Sequence, residues 1–147
     1  MSGEVDVGGG TNASGGTGLL RVTAGGAVSA ASAHVWKSGT LTGNGTVTTT
    51  NGTTVDGTLA PSGTLTIGGG LSFGLFANMR CNVTSTSWDR AEVSGTATLD
   101  GKLSVTLNGF FTGDFPLLHA STLTGQFSSY SVHLHRMPKS EHRLRLR

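Results

Sequence analysis

The chain has 147 residues, of which 24 are glycine, 10 are lysine or arginine and 8 are aspartate or glutamate. Only 12% of the residues are charged and the net charge is +2, which excludes the composition of an intrinsically disordered chain. The glycines have no three-residue period, which excludes collagen, and no apolar run approaches the length of a membrane-spanning helix. The length allows one domain with its own core.

The basic residues are concentrated near the C-terminus. Residues 1–132 carry five basic and seven acidic side chains, whereas residues 133–147 carry five basic side chains and one acidic one. We therefore expect one domain over 1–132 and a basic tail over 133–147 that is frayed or covers the edge of the domain. The domain has no basic surface suited to nucleic acid, so no specific nucleic-acid partner is expected.

Alternating polar and apolar residues predict β-strands along the whole chain. The first ten residues contain no basic segment followed by an apolar one, so we expect no signal peptide. In chain order, apolar residues then alternate with polar ones over 19–23, 63–68, 96–100 and 102–108. Such alternation buries one face of a strand and leaves the other in water, where threonine fits well. Because no window has helical spacing, the predicted fold class is all-β.

Short repeated units distinguish two all-β architectures. Gly-Thr pairs recur at 39–40, 45–46, 52–53, 57–58, 63–64 and 95–96, and they indicate strands of only three to six residues. Asn-Gly at 44–45 and 51–52 would suit the hairpins of an antiparallel sandwich. Strands this short make poor hairpins, however, so the pattern favours a parallel β-solenoid of about six coils with about 20 residues per coil.

The stretch from Ser38 to Ser128 resembles a known family pattern. It contains Ser-Gly-Thr-Leu-Thr-Gly-Asn-Gly-Thr-Val at 38–47, Gly-Thr-Leu-Ala-Pro at 57–61 and Trp-Asp-Arg-Ala-Glu-Val-Ser-Gly-Thr at 88–96, and it closes with Gly-Gln-Phe at 125–127. In this order the segments resemble the passenger-type repeat region of bacterial autotransporters and related surface proteins, with a weaker match from about Val5. Ser62 departs from the pattern, which usually has glycine there, and the C-terminal end matches none of it.

The resemblance implies a right-handed parallel β-helix that is exported and displayed at the cell surface or outer membrane. It implies no single activity, since such passengers include adhesins, structural stalks and some enzymes. We expect a non-enzymatic structural or adhesive segment with host-cell or matrix glycans or proteins as partners. Because the end coil of a solenoid has unpaired backbone groups, self-association through exposed coil ends is also expected.

The resemblance names no catalytic, cofactor-binding or metal-binding residue, so none is assigned here. Lacking a signal peptide, the chain is expected to be a fragment of a longer secreted protein. The alternative is a carbohydrate-active enzyme or a glycan-binding module on the same scaffold.

Several side chains were weighed as catalytic groups. Gly-Leu-Ser-Phe-Gly at 70–74 fits the nucleophile elbow of serine hydrolases, but no helix signal follows Ser72, so Ser72 is expected to face outward between buried Leu71 and Phe73. Asp89, Asp100 and Asp114 would have to converge to hydrolyse a glycoside. We expect instead that these aspartates cap turns.

Other residues suggest metal, thiol or aromatic sites. His133 and His135 share one strand face and, with His142, could bind a metal. A metal site needs more ligands at fixed geometry, however, so we expect an exposed strand end instead. Cys81 is expected to be a small buried hydrophobic residue, with Arg80 pointing to the opposite face of the strand. The large aromatic residues are expected to pack in the core or as caps; they are Trp36, Trp88, Phe110, Phe111 and Tyr130. The alternating end, 143–147, would suit an acidic surface, a frayed terminus or the edge of the domain.

Overall fold

A computed structural model describes residues 3–9, 15–109 and 115–134, and over these residues the chain forms fifteen β-strands and no helix. The strands are β1 (Glu4–Val7), β2 (Gly18–Val22), β3 (Ala27–Ala30), β4 (Ser32–Val35), β5 (Gly39–Gly43), β6 (Thr46–Thr49), β7 (Thr53–Val55), β8 (Thr58–Pro61), β9 (Thr64–Gly68), β10 (Leu71–Phe73), β11 (Asn78–Thr84), β12 (Arg90–Leu99), β13 (Lys102–Asn108), β14 (Leu118–Gly125) and β15 (Ser129–Leu134). No helix within the described ranges is long and apolar enough to cross a membrane.

All the strand ladders are parallel, which confirms the predicted solenoid and excludes the antiparallel sandwich. In the early coils each strand pairs with the strand three places further along the chain, as in β1–β4–β7–β10 and β2–β5–β8. Outside these ladders, an isolated antiparallel bridge joins Val83, near the end of β11, to Trp88 in the segment that follows. The chain therefore winds continuously, and each coil lies on the one before it.

The strands form three faces around a common core. The first face contains β3, β6, β9 and the first halves of β12 and β14, and the second contains β1, β4, β7, β10 and the second halves of β12 and β14. The third face is a separate sheet of six strands in the order β15-β13-β11-β8-β5-β2. This gives about five turns, whereas the sequence predicted about six.

In the first coil 28 residues separate Glu4 from its partner Ser32; after it the coils are shorter and then become longer towards the C-terminus, which explains the smaller number of turns. Eighteen residues separate Thr40 from its partner Thr58, but 27 separate Lys102 from its partner Ser129. The strands lengthen as well: β12 has 10 residues, against the three to six expected. It runs from the first face to the second without a turn, because a change of register between Val93 and Thr96 bends it instead.

The core is built from columns of registered apolar residues, one stacked on the next. The first column is Val28, Val47, Ile67, Val93 and Ala120; the second is Val5, Ala33, Thr53, Leu71, Ala97 and Leu123; the third is Leu20, Leu41, Leu59, Met79, Leu103 and Tyr130. In the middle of the stack these side chains are essentially inaccessible to solvent. The alternation in the sequence therefore places its apolar members inside, as predicted.

Two threonines are exceptions to the expectation that threonine faces water. Thr49 and Thr53 are buried where the first face meets the second, and their hydroxyl oxygens lie 3.5 Å apart. Each hydroxyl thus has a polar neighbour inside the core, which lowers the free-energy penalty of burying it.

The glycines of the Gly-Thr pairs lie where strands begin, for two different reasons. At Gly39, Gly45 and Gly57 the neighbouring coil leaves no room for a side chain, whereas Gly52 and Gly63 have positive φ angles. Five of the six pairs open a strand, and the sixth, at 95–96, lies at the bend within β12. A Cβ atom on Gly57 would collide with the carbonyl oxygens of Trp36 and Gly39 in the coil below. The first three glycines therefore permit the backbones of successive coils to come close together at the corners.

We predict that Leu59→Ala lowers the free energy of unfolding by about 2–5 kcal/mol, because it opens a cavity in the middle of the third column. Leu59 is 0% exposed. Chemical denaturation monitored by circular dichroism measures the change. Thr48→Ala, at an exposed outward position on β6, is the matched control and should change stability by less than about 0.5 kcal/mol. Equal losses for both variants would contradict the column arrangement.

Candidate functional site

The outer surface of the stack carries mainly threonine and serine. On the second face the outward column reads Asp6, His34, Thr54, Ser72, Thr98 and Thr124. On the first face Thr46, Thr66 and Glu92 are consecutive members of another outward column. Small hydroxyl side chains leave these faces nearly flat, so a concave site has to arise where longer side chains or loops protrude.

A polar groove on the third face forms a concave site in the described part of the chain. Its volume is about 330 Å³, and it crosses strands β5, β8, β11 and β13. Its polar lining residues are Thr42, Ser62, Arg80, Asn82, Asp89, Ser104 and Thr106, and Ala60 and Pro61 add a small apolar patch. The groove thus combines a cation, a carboxylate, an amide and several hydroxyl groups.

Arg80 supplies the positive charge of this groove. It lies on β11 between buried Met79 and buried Cys81, so its own side chain points outward, as the alternation predicted. The guanidinium makes no hydrogen bond or ion pair within the described residues, and Arg80 is exposed. Its five N–H donors are therefore available to a ligand that carries oxygen atoms.

Asp89 closes one end of the groove and also holds two coils together. Its Oδ1 accepts a hydrogen bond from the backbone N–H of Gly63 at 2.8 Å, and its Oδ2 accepts one from the backbone N–H of Asn82 at 2.9 Å. These contacts have the turn-capping role that the sequence analysis expected for the aspartates. The geometry holds this carboxylate in a fixed orientation beside the groove.

The three aspartates weighed for glycoside hydrolysis do not form a catalytic pair in the described chain. Asp100 accepts a hydrogen bond from the backbone N–H of Gly101, at the corner where β13 begins. Asp89 contacts Asn82, whose registered partner Thr106 lies near the other end of β13. Six residues of extended strand separate these positions, or about 20 Å, which is well beyond the separation that two catalytic carboxylates need. Asp114 lies outside the described residues.

The other sequence candidates occupy scattered positions. Ser72 is exposed between buried Leu71 and Phe73 on β10, as expected, and no helix follows it. His133 is exposed on β15, whereas His135 and His142 lie outside the described residues. Over the described ranges, no group of three or more histidine, cysteine, aspartate or glutamate side chains is arranged to bind a metal.

Trp88 belongs to a loop that packs against its neighbour in the next coil. Its indole N–H donates to the carbonyl oxygen of Pro116 at 2.8 Å, and its ring meets Phe115 edge-on with centroids 5.3 Å apart. The guanidinium of Arg90 lies 5.5 Å from the ring of Trp88. Trp88 therefore has the packing role that was expected, and it joins the loops that precede β12 and β14.

Trp36, like Trp88, forms a side-chain contact between coils, which we call a clasp; the sequence analysis did not identify it. Its indole N–H donates to Asp6 at 2.8 Å, and its ring stacks on His34 with centroids 3.8 Å apart. Nε2 of His34 lies 2.6 Å from Oδ2 of Asp56, in the coil above. The stacked pair thus links three coils. Residues 34 and 56 are separated by about one coil length, so the predicted period contained the signal for this contact.

The remaining large aromatic residues do not form a continuous row. Trp36 lies at the corner that leads into the third face, whereas Trp88 lies at the corner that leads out of it. Tyr130 is 58% exposed on the last coil, and Phe110 and Phe111 lie outside the described residues. Phe76 is 66% exposed, and Nζ of Lys37 lies 4.7 Å from its ring centroid. A sugar-binding platform made of several parallel rings is therefore not formed by the described residues.

Comparison with known proteins adds no assignment: no protein-family model, no curated protein and no solved structure matches the chain. The fold and the groove are therefore described from the structure, and the function has to be inferred from them.

We predict that the thiol of Cys81 is inert in the folded protein. Cys81 is 2% exposed, and burial, followed by the negative charge of Asp89, raises its pKa from 9.0 to about 12. Ellman's reagent at pH 8 should therefore react with Cys81 only after the protein is denatured. Rapid labelling of the native protein would contradict this burial.

The same pKa shift predicts a loss of stability in alkaline solution. The unfolded thiol ionises above pH 9.0 while the folded thiol stays protonated up to about 12, so the contribution to folding is complete below pH 9.0 and decreases above it. The loss is about 1.4 kcal/mol per pH unit. Denaturation curves at pH 8 and pH 10.5 measure it, and Cys81→Ala should lose less stability over this interval than the unsubstituted protein.

Proposed function

We propose that this chain is a non-enzymatic structural and adhesive segment of a bacterial surface-displayed repeat protein of the autotransporter-passenger type. In this role the stack acts as a stiff support that holds a binding surface away from the cell. The observation that carries the proposal is the combination of continuous inner columns with an outer surface of threonine and serine. Such a structure can be extended coil by coil, and it needs no disulfide or cofactor for stability.

Two features of the site favour a supporting role over catalysis. The carboxylates of Asp89 and Asp100 accept hydrogen bonds from backbone N–H groups at corners, so their contacts stabilise the turns. Their positions lie about 20 Å apart along the third face, which leaves no acid-base pair between them. We accordingly propose no enzymatic activity for the chain.

A display experiment tests this function. The chain would be placed between a secretion leader and an outer-membrane anchor in a Gram-negative bacterium, with an epitope tag before residue 1. We expect the tag to be accessible to antibody on intact cells, and the stack to resist added protease. Val47→Asp, in the first inner column, should abolish the protease resistance, because it buries an unpaired charge.

Thr48→Asp is the matched control for the display experiment. It places the same charge on the neighbouring residue, whose side chain is exposed on the outer surface. We expect display and protease resistance to remain unchanged. A folded chain that is not displayed, or release of reducing ends from polysaccharides by the purified chain, would contradict the proposed function.

The groove on the third face favours a second candidate function, glycan binding. Arg80 offers donors, Asp89 offers acceptors, and Asn82 offers both, which suits the hydroxyl groups of a sugar. Ala60 and Pro61 add an apolar patch on which the C–H face of a sugar ring could lie. A volume of about 330 Å³ is sufficient for one or two sugar rings.

Substitution of Arg80 tests this second function. Isothermal titration calorimetry with trigalacturonate and with neutral maltotriose measures the affinity and separates an acidic from a neutral glycan. We expect Arg80→Ala to weaken binding about tenfold or more, since it removes a charged hydrogen-bond donor. Arg21→Ala is the matched control, because Arg21 is also exposed on the third face but does not line the groove. Equal effects of the two substitutions, or no heat of binding with either sugar, would contradict glycan binding in the groove.

A further inference from the structure

The two ends of the stack expose members of the same inner columns. At the C-terminal end Leu123 is 37% exposed and Tyr130 is 58% exposed, whereas Leu71 and Leu59 in the same columns are 1% and 0% exposed. At the N-terminal end Val5 and Leu20 are half-buried, although they too face the core. The apolar columns therefore continue to both ends of the described stack.

Unpaired strand edges accompany these apolar residues. Within the described ranges β14 pairs with β12 alone and β15 with β13 alone, so each has one edge without a partner. At the other end β1, β2 and β3 also have a single neighbour each. An unpaired edge exposes backbone N–H and C=O groups and thus favours the addition of another strand.

From these observations we propose that the C-terminal end of one copy of this chain binds the N-terminal end of a second copy, so that the protein associates head to tail. The inference rests on the solenoid fold and is independent of the proposed surface function. Contact of this kind joins two different patches and does not close on itself, so it would produce linear assemblies.

The register of the strands supports this partner and this orientation. Because the columns are defined by paired residues, a second stack placed in the same register continues two of them: Val5 of the second copy follows Leu123, and Leu20 follows Tyr130. The first face has five described strands against six on each of the other two faces, so the described strands leave one strand position open there. The contact then repeats the packing that already holds neighbouring coils together within one chain.

The outward side chains also suit this contact. Continued in the same register, Asp6 of the second copy would meet Thr124, and Arg21 would meet Ser131. No two like charges are opposed among these pairs, and such opposition would destabilise a sheet. Hydroxyl groups lie opposite the carboxylate and the guanidinium, to which they can form hydrogen bonds.

The test uses one variant that blocks each end. Leu123→Lys places a charge in the C-terminal contact, and Leu20→Lys places one in the N-terminal contact. Sedimentation velocity over a concentration series of the full chain measures association, and circular dichroism melting checks folding. We expect the unsubstituted protein to form larger species as concentration rises. Each variant alone should associate at least about thirtyfold more weakly than the unsubstituted protein. Thr48→Lys, on the outer surface in the middle of the stack, is the control and should associate like the unsubstituted protein.

Mixing the two variants distinguishes head-to-tail contact from other arrangements. Each variant keeps one intact end, so an equimolar mixture should form dimers and nothing larger. If Leu20→Lys dimerised without its partner variant, the contact would be between two C-terminal ends and the proposal would be wrong. If Leu123→Lys failed to fold, Val132→Lys, at a position that is 52% exposed in the same end surface, would replace it.

Removal of residues 135–147 tests the competing occupant, the basic tail of the same chain. We expect the shortened protein to associate at least as strongly as the full chain. A full chain that stays monomeric at every concentration, or one that associates only after this segment is removed, would overturn the proposal.

Discussion

The structure depends on one constraint: each coil has to lie in register on the coil beneath it. A strand of three to five residues has too few contacts to be stable by itself, and three such strands per coil do not enclose a core. When Leu59 lies over Leu41 and under Met79, however, each side chain is covered on both sides, and all three are almost fully buried. The same register determines where the glycines, the clasps and the groove lie.

The contacts on the outside of the stack depend on this register and reinforce it. The stacked rings of His34 and Trp36 connect Asp56 above to Asp6 below, and Asp89 connects Gly63 to Asn82. These polar groups bridge neighbouring coils and hold their register. Because they are already hydrogen-bonded within the protein, few of their donors and acceptors remain for a substrate. Arg80 differs from them because its side chain makes no such bridge among the described residues, and this makes the groove around it the exception on a surface that otherwise supports the fold.

The sequence predicted the fold well because its signals were local and repeated. Alternation identified the inward residues, and the Gly-Thr pairs located the starts of strands such as Thr46 and Thr58. The number of coils was overestimated because a uniform period of about 20 residues cannot reveal that later coils are longer. β12 bends where the other coils have a turn, but the glycine and proline residues near this bend are no different from those at true turns. The sequence therefore could not show that β12 is one continuous strand.

The site was less predictable than the fold, since it depends on which residues become neighbours across coils. Asp89 and Asp100 are eleven positions apart in the sequence. Between them the chain runs along β12 through the first and second faces, so the two residues lie at opposite ends of the third face. Arg80 and Thr106 lie far apart in the chain and line the same groove. An accurate coil length at each step would have been needed to predict these neighbours, and that length varies along the chain.

The corner between the third and first faces absorbs this variation in length. The segment from Ser85 to Asp89 lies at this corner, and the chain also passes here from the end of β13 to the start of β14. β12 and β14 nevertheless resume in register beside β9 and β12. Segments of different sizes are thus accommodated at one edge of the molecule without disturbing the interior. New recognition loops could be grafted at this corner, either by evolution or by design, while the interior sequence remained unchanged.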